Sequence, residues 1–314
     1  MRILVLGAGA IGGHFGGLLA HAGADVTFLV RPKRQKILKN GITLRTPEQT
    51  YTVPIKTILK DQLDGHYDLI IIACKAYDLP NAMDAVRPAV GPDTYILPLL
   101  NGLKQLDILD EEFGPGKIIG GFVLNISTML PDGSIESKSP KGGKLIFGPR
   151  FKSQQDICHT LENLFNKAAF VTNRSDNIQA PMWDKFVRIT LLGAVNCLLR
   201  GTVGDVMATR DGQWITLSLM KECLDVAEAA GYPLGEDSIN SIATNMTREG
   251  SDYNSSMFRD LEHGYQIEGD HLLGDMLRRA EDLKCEAPLL AIAYCHLQTY
   301  MARRERERRP EELG

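Results

Sequence analysis

Gly7, Gly9 and Gly12 are the first residues in the chain whose type and spacing could do chemistry. An apolar run, Ile3 to Leu6, leads straight into Gly7-Ala8-Gly9-Ala10-Ile11-Gly12. Strand, turn and small-residue helix in that order make a seat for a diphosphate. Gly7 permits the tight turn, Gly9 lets the backbone approach the pyrophosphate, and Gly12 lets the helix pack closely on the strand, so the diphosphate sits on the helix N-terminus. The next strand, Asp25 to Val30, ends on Arg31, where NAD-preferring sites carry an Asp or Glu that accepts hydrogen bonds from the adenosine ribose. A guanidinium binds a 2′-phosphate through two parallel charge-assisted hydrogen bonds, so NADPH/NADP+ is the expected cofactor. Arg31 to Lys36 also reads as the solvated start of a basic helix.

Two further positions fall beyond the carboxyl ends of apolar strands, where open α/β sheets bind ligands. Lys75 follows Ile70 to Cys74, and Asn101 follows Thr94 to Leu99 and precedes Gly102. Each could equally be a polar strand-end residue. Later in the chain, Lys185 lies near the start of a mostly apolar helix, where an ammonium is costly unless it is paired or faces a cleft. Desolvation lowers a lysine pKa and makes it a usable general acid near neutrality, although a lysine in such a place can also snorkel to the surface. Glu268, between Ile267 and Gly269, is a similar candidate, and it too has a plain reading, as an ordinary helix-start carboxylate.

The elements that must position these groups follow from the apolar pattern. Strand and helix signals alternate from residue 2 to about 112, then short strand runs at 118–124, 134–137 and 144–147 are separated by Pro131-Asp-Gly133 and Pro140-Lys-Gly-Gly143. After about residue 175 the strand signals vanish and apolar residues recur at helical spacing, as in Phe186, Ile189, Leu192, Val195 and Leu199. The expected fold is an α/β Rossmann-type doubly wound N-terminal domain, residues 1–174, followed by an all-α C-terminal domain, residues 175–314. Its charged tail from about 303 is expected to fray. Among 314 residues 44% are hydrophobic and 24% charged, and a net charge of −4 supplies no global field for nucleic acid or anionic lipid. No apolar run is long enough to span a bilayer and no signal-type segment precedes the first strand, so a cytoplasmic location is expected. The six cysteines and seven histidines are dispersed, without spacing for zinc or disulfides, so no metal is expected.

Taken together, the motifs GAGAIGG at 7–13, Arg31, Cys74-Lys75-Ala76-Tyr77, Leu99-Leu100-Asn101-Gly102, Trp183-Asp-Lys185-Phe and Ser255-Ser256-Met257, with Glu268 twelve residues after Ser256, resemble the ketopantoate reductase (2-dehydropantoate 2-reductase) family nearly end to end. The resemblance implies an NADPH-dependent reductase that converts a 2-oxo acid to a 2-hydroxy acid, ketopantoate to pantoate in pantothenate and coenzyme A biosynthesis. It implies that Lys185 is the catalytic acid and Glu268 an active-site carboxylate. Asn101 and Ser256 become polar contacts to cofactor and substrate, and Lys75 lies near the nicotinamide. A 2-oxo acid is the expected partner; a homodimer is compatible with the sequence and not decided by it.

The chain also departs from the family pattern. Members that reduce ketopantoate usually carry asparagines four and eight residues beyond the catalytic lysine, and this chain has Ile189 and Gly193 there. Arg188 and Asn196 lie near the same helix face and could bind a substrate carboxylate instead, or Arg188 could be a solvated helix residue. A reductase with a different 2-oxo acid or ketone as substrate is therefore the second reading. A non-catalytic NADP(H) sensor is the third, and it would have no need for Lys185 together with Glu268.

Overall fold

Short runs rich in Ile, Leu and Val, broken by glycine and proline, form most of the strands. In chain order these are β1 (Arg2–Leu6), β2 (Asp25–Leu29), β3 (Ile42–Arg45), β4 (Thr50–Val53), β5 (Lys56–Ile58), β6 (Leu69–Ile72), β7 (Tyr95–Pro98), β8 (Gly120–Leu124), β9 (Ser127–Met129), β10 (Ile135–Ser137), β11 (Lys144–Gly148) and β12 (Val171–Arg174). The structure, a computed structural model, describes residues 1–307. They form two units, Met1–Asn101 with Gln105–Gln179, and Gly102–Lys104 with the chain from Ala180 onward.

In the first unit a wholly parallel sheet runs β5-β2-β1-β6-β7. All four residues of β6 are buried, as expected of a strand covered on both faces. Leu6 pairs with Leu29 on one side and Ile72 on the other, and Ile72 with Pro98, so β1, β2, β6 and β7 end at one level. The chain leaves β1 for β2 and later crosses back to β6 on the other side. The turn after β1 is therefore the topological switch point, where such sheets bind ligands. The sheet β12-β11-β8 joins the β7 edge through an Ile96–Ile118 bridge.

Helix α1 (Ala10–His21) packs against both the parallel sheet and the smaller sheet β4-β3-β10-β9, and its glycines show how. A Cβ at Gly12 would lie 2.2 Å from the Gly7 carbonyl oxygen, and one at Gly16 2.9 Å from the Phe28 ring. A Cβ at Gly13 would lie 2.4 Å from Ile135, and one at Gly17 2.9 Å from Leu44. Each interior glycine costs a helix about 1 kcal/mol of propensity, and here close packing on two sheets offsets it. The remaining helices of this unit are α2 (Pro32–Ile37), α3 (Leu79–Val86), α4 (Lys104–Phe113) and α5 (Gln155–Phe165).

The second unit is helical: α6 (Gln179–Leu199), α7 (Val203–Met207), α8 (Gly212–Ala229), α9 (Glu236–Met246), α10 (Ser256–Glu262), a π-helical turn over Asp270–Gly274 that leads into α11 (Asp275–Leu283), and α12 (Pro288–Glu307). Its core is built on α6, where Met182, Phe186, Val187, Leu191 and Val195 are buried. The expected fraying from residue 303 does not occur at its start. Arg303 pairs with Glu307 one helical turn on, and the Arg304 Nε donates to the Gly264 carbonyl at 3.0 Å, so α12 continues to Glu307 without needing an apolar stripe. The rest of that tail lies outside the described residues.

Candidate active site

The first unit supplies a nucleotide face. Gly7 has φ +91°, a left-handed conformation that glycine adopts without strain, and its N–H donates to the Leu29 carbonyl at 3.2 Å. Gly9 caps α1, and a Cβ there would meet no atom within 4 Å. That opening lets a diphosphate reach the first N–H groups of the helix, so the residues present fit a dinucleotide. Ala8 completes the turn between β1 and α1, and Ala10 and Ile11 open the helix. Lys75 and Asn101 follow β6 and β7, so the structure brings them to the same sheet end as the glycine turn.

Arg31 follows β2, is 80% exposed, and lies 3.5 Å from the Asp78 carboxylate in the loop after β6. Since β1 lies between β2 and β6, this contact reaches across the end of the strand that carries the glycine turn. An exposed pair of this kind contributes about 0–1 kcal/mol, so a phosphate could displace Asp78 readily.

Arg34 was not singled out from the sequence, yet it holds the turn. Its Nε and Nη2 donate to the Ala8 carbonyl at 3.0 and 2.7 Å, while Nη1 donates to the Gly133 carbonyl at 3.0 Å. The part-buried guanidinium thus fastens the glycine turn to the β9–β10 hairpin. Ser127 adds a second tie, its hydroxyl donating to the Ala10 carbonyl at 2.9 Å. The only signal in the sequence was that Arg34 comes one helical turn after Arg31.

The second unit carries the lysine and carboxylate. Lys185 lies in the second turn of α6 with a partly exposed side chain, yet burial among protein atoms lowers its pKa from the ordinary 10.5 to about 8. The Glu268 carboxylate opposes that shift by favouring the ammonium. Glu268 is buried, and its backbone carbonyl accepts the N–H groups of His271 and Leu272 at 3.1 Å each. The π-helical turn that follows is held by Tyr294, whose hydroxyl donates to Asp270 at 2.7 Å. A buried carboxylate and a lysine with a lowered pKa are suited to proton transfer.

Three other expected site residues have different fates. Ser256 is the exposed first residue of α10, whose N-cap is Ser255, accepting the Phe258 N–H at 3.0 Å. Arg188 does not present a fork to a ligand. It pairs with Asp184, donates to the Ser238 hydroxyl at 2.6 Å and to the Ser238 carbonyl at 3.3 Å, and so ties α6 to α9. Asn196 is fully buried. Its amide donates to the Gly201 carbonyl at 2.8 Å and accepts the Ser255 N–H at 3.0 Å, which commits both ends to the fold and seats the start of α10. The expectation that these two amide and guanidinium groups replace the missing asparagines is corrected accordingly.

The family described as Ketopantoate reductase PanE/ApbA matches residues 3–150, and its C-terminal region, described as Ketopantoate reductase PanE/ApbA C terminal, matches residues 177–301. The chain belongs to the ketopantoate reductase family. Among relatives, it is 31% identical over 303 residues to the uncharacterized oxidoreductase YkpB of Bacillus subtilis, covering 96% of this chain and 99% of that one. It is 28% identical over 294 residues to the 2-dehydropantoate 2-reductase of Pyrococcus horikoshii, covering 92% and 94%. Among solved structures, the PanE/ApbA family ketopantoate reductase of Ralstonia eutropha JMP134 superposes with a TM-score of 0.87 at 24% identity, covering 97% of this chain and 100% of that one. That last likeness shows the fold. The family makes the chain an oxidoreductase of the ketopantoate reductase type.

Proposed function

We propose that this family member reduces a 2-oxo acid to a 2-hydroxy acid with NADPH, and that Lys185 is the proton donor. The observation that carries the reading is the lowered pKa of Lys185 beside the buried Glu268 carboxylate. A bound NADPH supplies the hydride. When bound, its diphosphate would be held by the glycine turn on the N-terminus of α1, and Arg31 would take its 2′-phosphate in place of the Asp78 carboxylate. Lys75 and Asn101, at the same sheet end, would contact the nicotinamide half. As the ketone oxygen gains negative charge, the Lys185 ammonium stabilises it and then transfers a proton from Nζ. At pH 7 a group of pKa about 8 is protonated in roughly nine molecules of ten, so the acid is in its working form. Glu268 keeps it there and orients it, and Ser256 offers its hydroxyl to the substrate.

The relatives named 2-dehydropantoate 2-reductase make ketopantoate the first substrate to offer, with pantoate as product. A different 2-oxo acid is the second reading, favoured by Ile189 and Gly193 beyond the lysine on α6. The test is NADPH oxidation by purified protein with ketopantoate and a panel of other 2-oxo acids, alongside Lys185→Ala. Turnover that survives Lys185→Ala, or tight NADPH binding with no turnover of any 2-oxo acid, sinks the proposal. The second outcome would leave an NADP(H)-binding protein.

A further inference from the structure

The side of α6 that carries Lys185 continues with Ile189 and then Gly193, at i+4 and i+8. Ile189 is partly exposed and Gly193 is buried. At Gly193 there is no room for a longer side chain as the helices stand, because the Met257 methyl lies 2.6 Å from where a Cβ would be, with Leu273 Cδ1 at 3.7 Å. Met257 and Leu273 are themselves buried. The place a polar side chain would take at this position is therefore filled by a thioether methyl reaching over from α10.

The two polar side chains of α6 nearest in angle to Lys185 do not change this. Arg188 is spent on Asp184 and Ser238, and Asn196 on Gly201 and Ser255. One turn along α6 from Lys185 stands the partly exposed Ile189, and a turn further on Met257 and Leu273 close over Gly193, so this side of α6 presents hydrocarbon and a thioether. A hydroxyl pressed against such a surface gives up its hydrogen bonds to water and finds none in return. A methyl or phenyl group there is favoured simply by leaving water.

We infer that the substrate is a 2-oxo acid whose chain beyond the ketone is hydrocarbon, branched aliphatic or aromatic, with Ile189 and Met257 as its specificity-determining residues. This rests on the reductase reading above and deepens it. The contrast is sharpest between two compounds that differ by one oxygen atom: ketopantoate, and 3,3-dimethyl-2-oxobutanoate, which has the same carbon skeleton without the hydroxyl. A site built to hydrogen-bond the hydroxyl rejects the analogue that lacks it, whereas an apolar wall rejects the alcohol.

The experiment is steady-state kcat/KM of the full chain with NADPH for that pair, with 4-methyl-2-oxopentanoate and phenylglyoxylate as further hydrocarbon probes. The hydroxyl-free compound should exceed ketopantoate by tenfold or more. Ile189→Asn should lower that ratio at least fivefold, and Met257→Ala combined with Gly193→Asn, which clears space for the amide, should lower it further. Preference of the unaltered enzyme for ketopantoate overturns the inference while leaving the reductase reading intact. Failure of every 2-oxo acid to oxidise NADPH overturns the reductase reading and this inference with it. The matched pair needs no variant, so a substitution that fails to fold does not shelter the idea.

Discussion

Replacing Glu268 by glutamine should move the alkaline limb of the reaction to lower pH. Lys185 sits near 8 because burial disfavours its ammonium, while Glu268 pulls the other way. In the unaltered enzyme, kcat/KM for reduction should be level below about pH 8 and fall tenfold per unit above it, since the amine form has no proton to give. Without the carboxylate, burial acts unopposed. An opposite charge a few ångströms away is worth about one to three pKa units, so Glu268→Gln should shift the limb down by about one unit or more. The variant and the native enzyme would then converge near pH 6 and separate at pH 8. A linked effect on stability has the opposite sign to that of a salt-bridged lysine. The drop from 10.5 to about 8 corresponds to about 3 kcal/mol at most, discounted because the side chain is partly exposed. That cost is fully present below pH 8 and is relieved as the pH rises towards 10.5, where the folded form binds fewer protons than the unfolded one. Lys185→Ala should abolish the limb and lower kcat by about 10²–10⁴-fold, the usual contribution of a positioned acid. The assay is initial-rate NADPH oxidation from pH 6 to 10, with urea unfolding midpoints over the same range. A limb that stays in place or rises in Glu268→Gln refutes the pairing.

Binding and stability measurements check the other groups. Arg31→Ala should weaken NADPH binding by about 1.5–3 kcal/mol and leave NADH nearly unchanged, because only the 2′-phosphate is lost as a partner; equal weakening by calorimetry would remove Arg31 from that role. Arg34→Ala should raise Kd for NADPH and NADH by similar factors, about tenfold, because it frees the Ala8 carbonyl and loosens a turn common to both cofactors; a loss confined to NADPH would place Arg34 on the phosphate instead. Arg188→Ala should lower stability by about 1–2 kcal/mol through the lost bonds to Asp184 and Ser238 that tie α6 to α9, with KM for the best 2-oxo acid within twofold of native; a tenfold rise in KM at unchanged stability would return Arg188 to the substrate.

What could be read from the sequence was what is local. The glycine turn, the buried strands β1 and β6 and the helical second half announce themselves because each depends on residues a few positions apart. Strands β3 and β4 were not legible: Thr43, Thr50 and Thr52 dilute the apolar pattern, and the pair is stabilised by packing on α1 that only the folded chain reveals. The end of α12 was misread for the converse reason, since Arg303 and Arg304 find partners that composition does not predict. The same limit governs the site. Helical angles put Arg188 and Asn196 near the lysine's side of α6, and those angles are right as geometry. A polar side chain near a reacting group is available to a ligand, however, only if no element of the fold has claimed its donors first. Ser238 and Asp184 claim Arg188, and Gly201 and Ser255 claim Asn196. Lys185 differs because burial disfavours its charge beside the Glu268 carboxylate, the kind of perturbed group that marks a candidate for proton transfer. Asn196 gives this distinction its own test. Asn196→Ala removes two buried hydrogen bonds and strands the Gly201 carbonyl and the Ser255 N–H, so unfolding should be easier by about 2–4 kcal/mol. If the variant instead keeps its stability and loses only affinity for the 2-oxo acid, the amide belongs to the substrate after all.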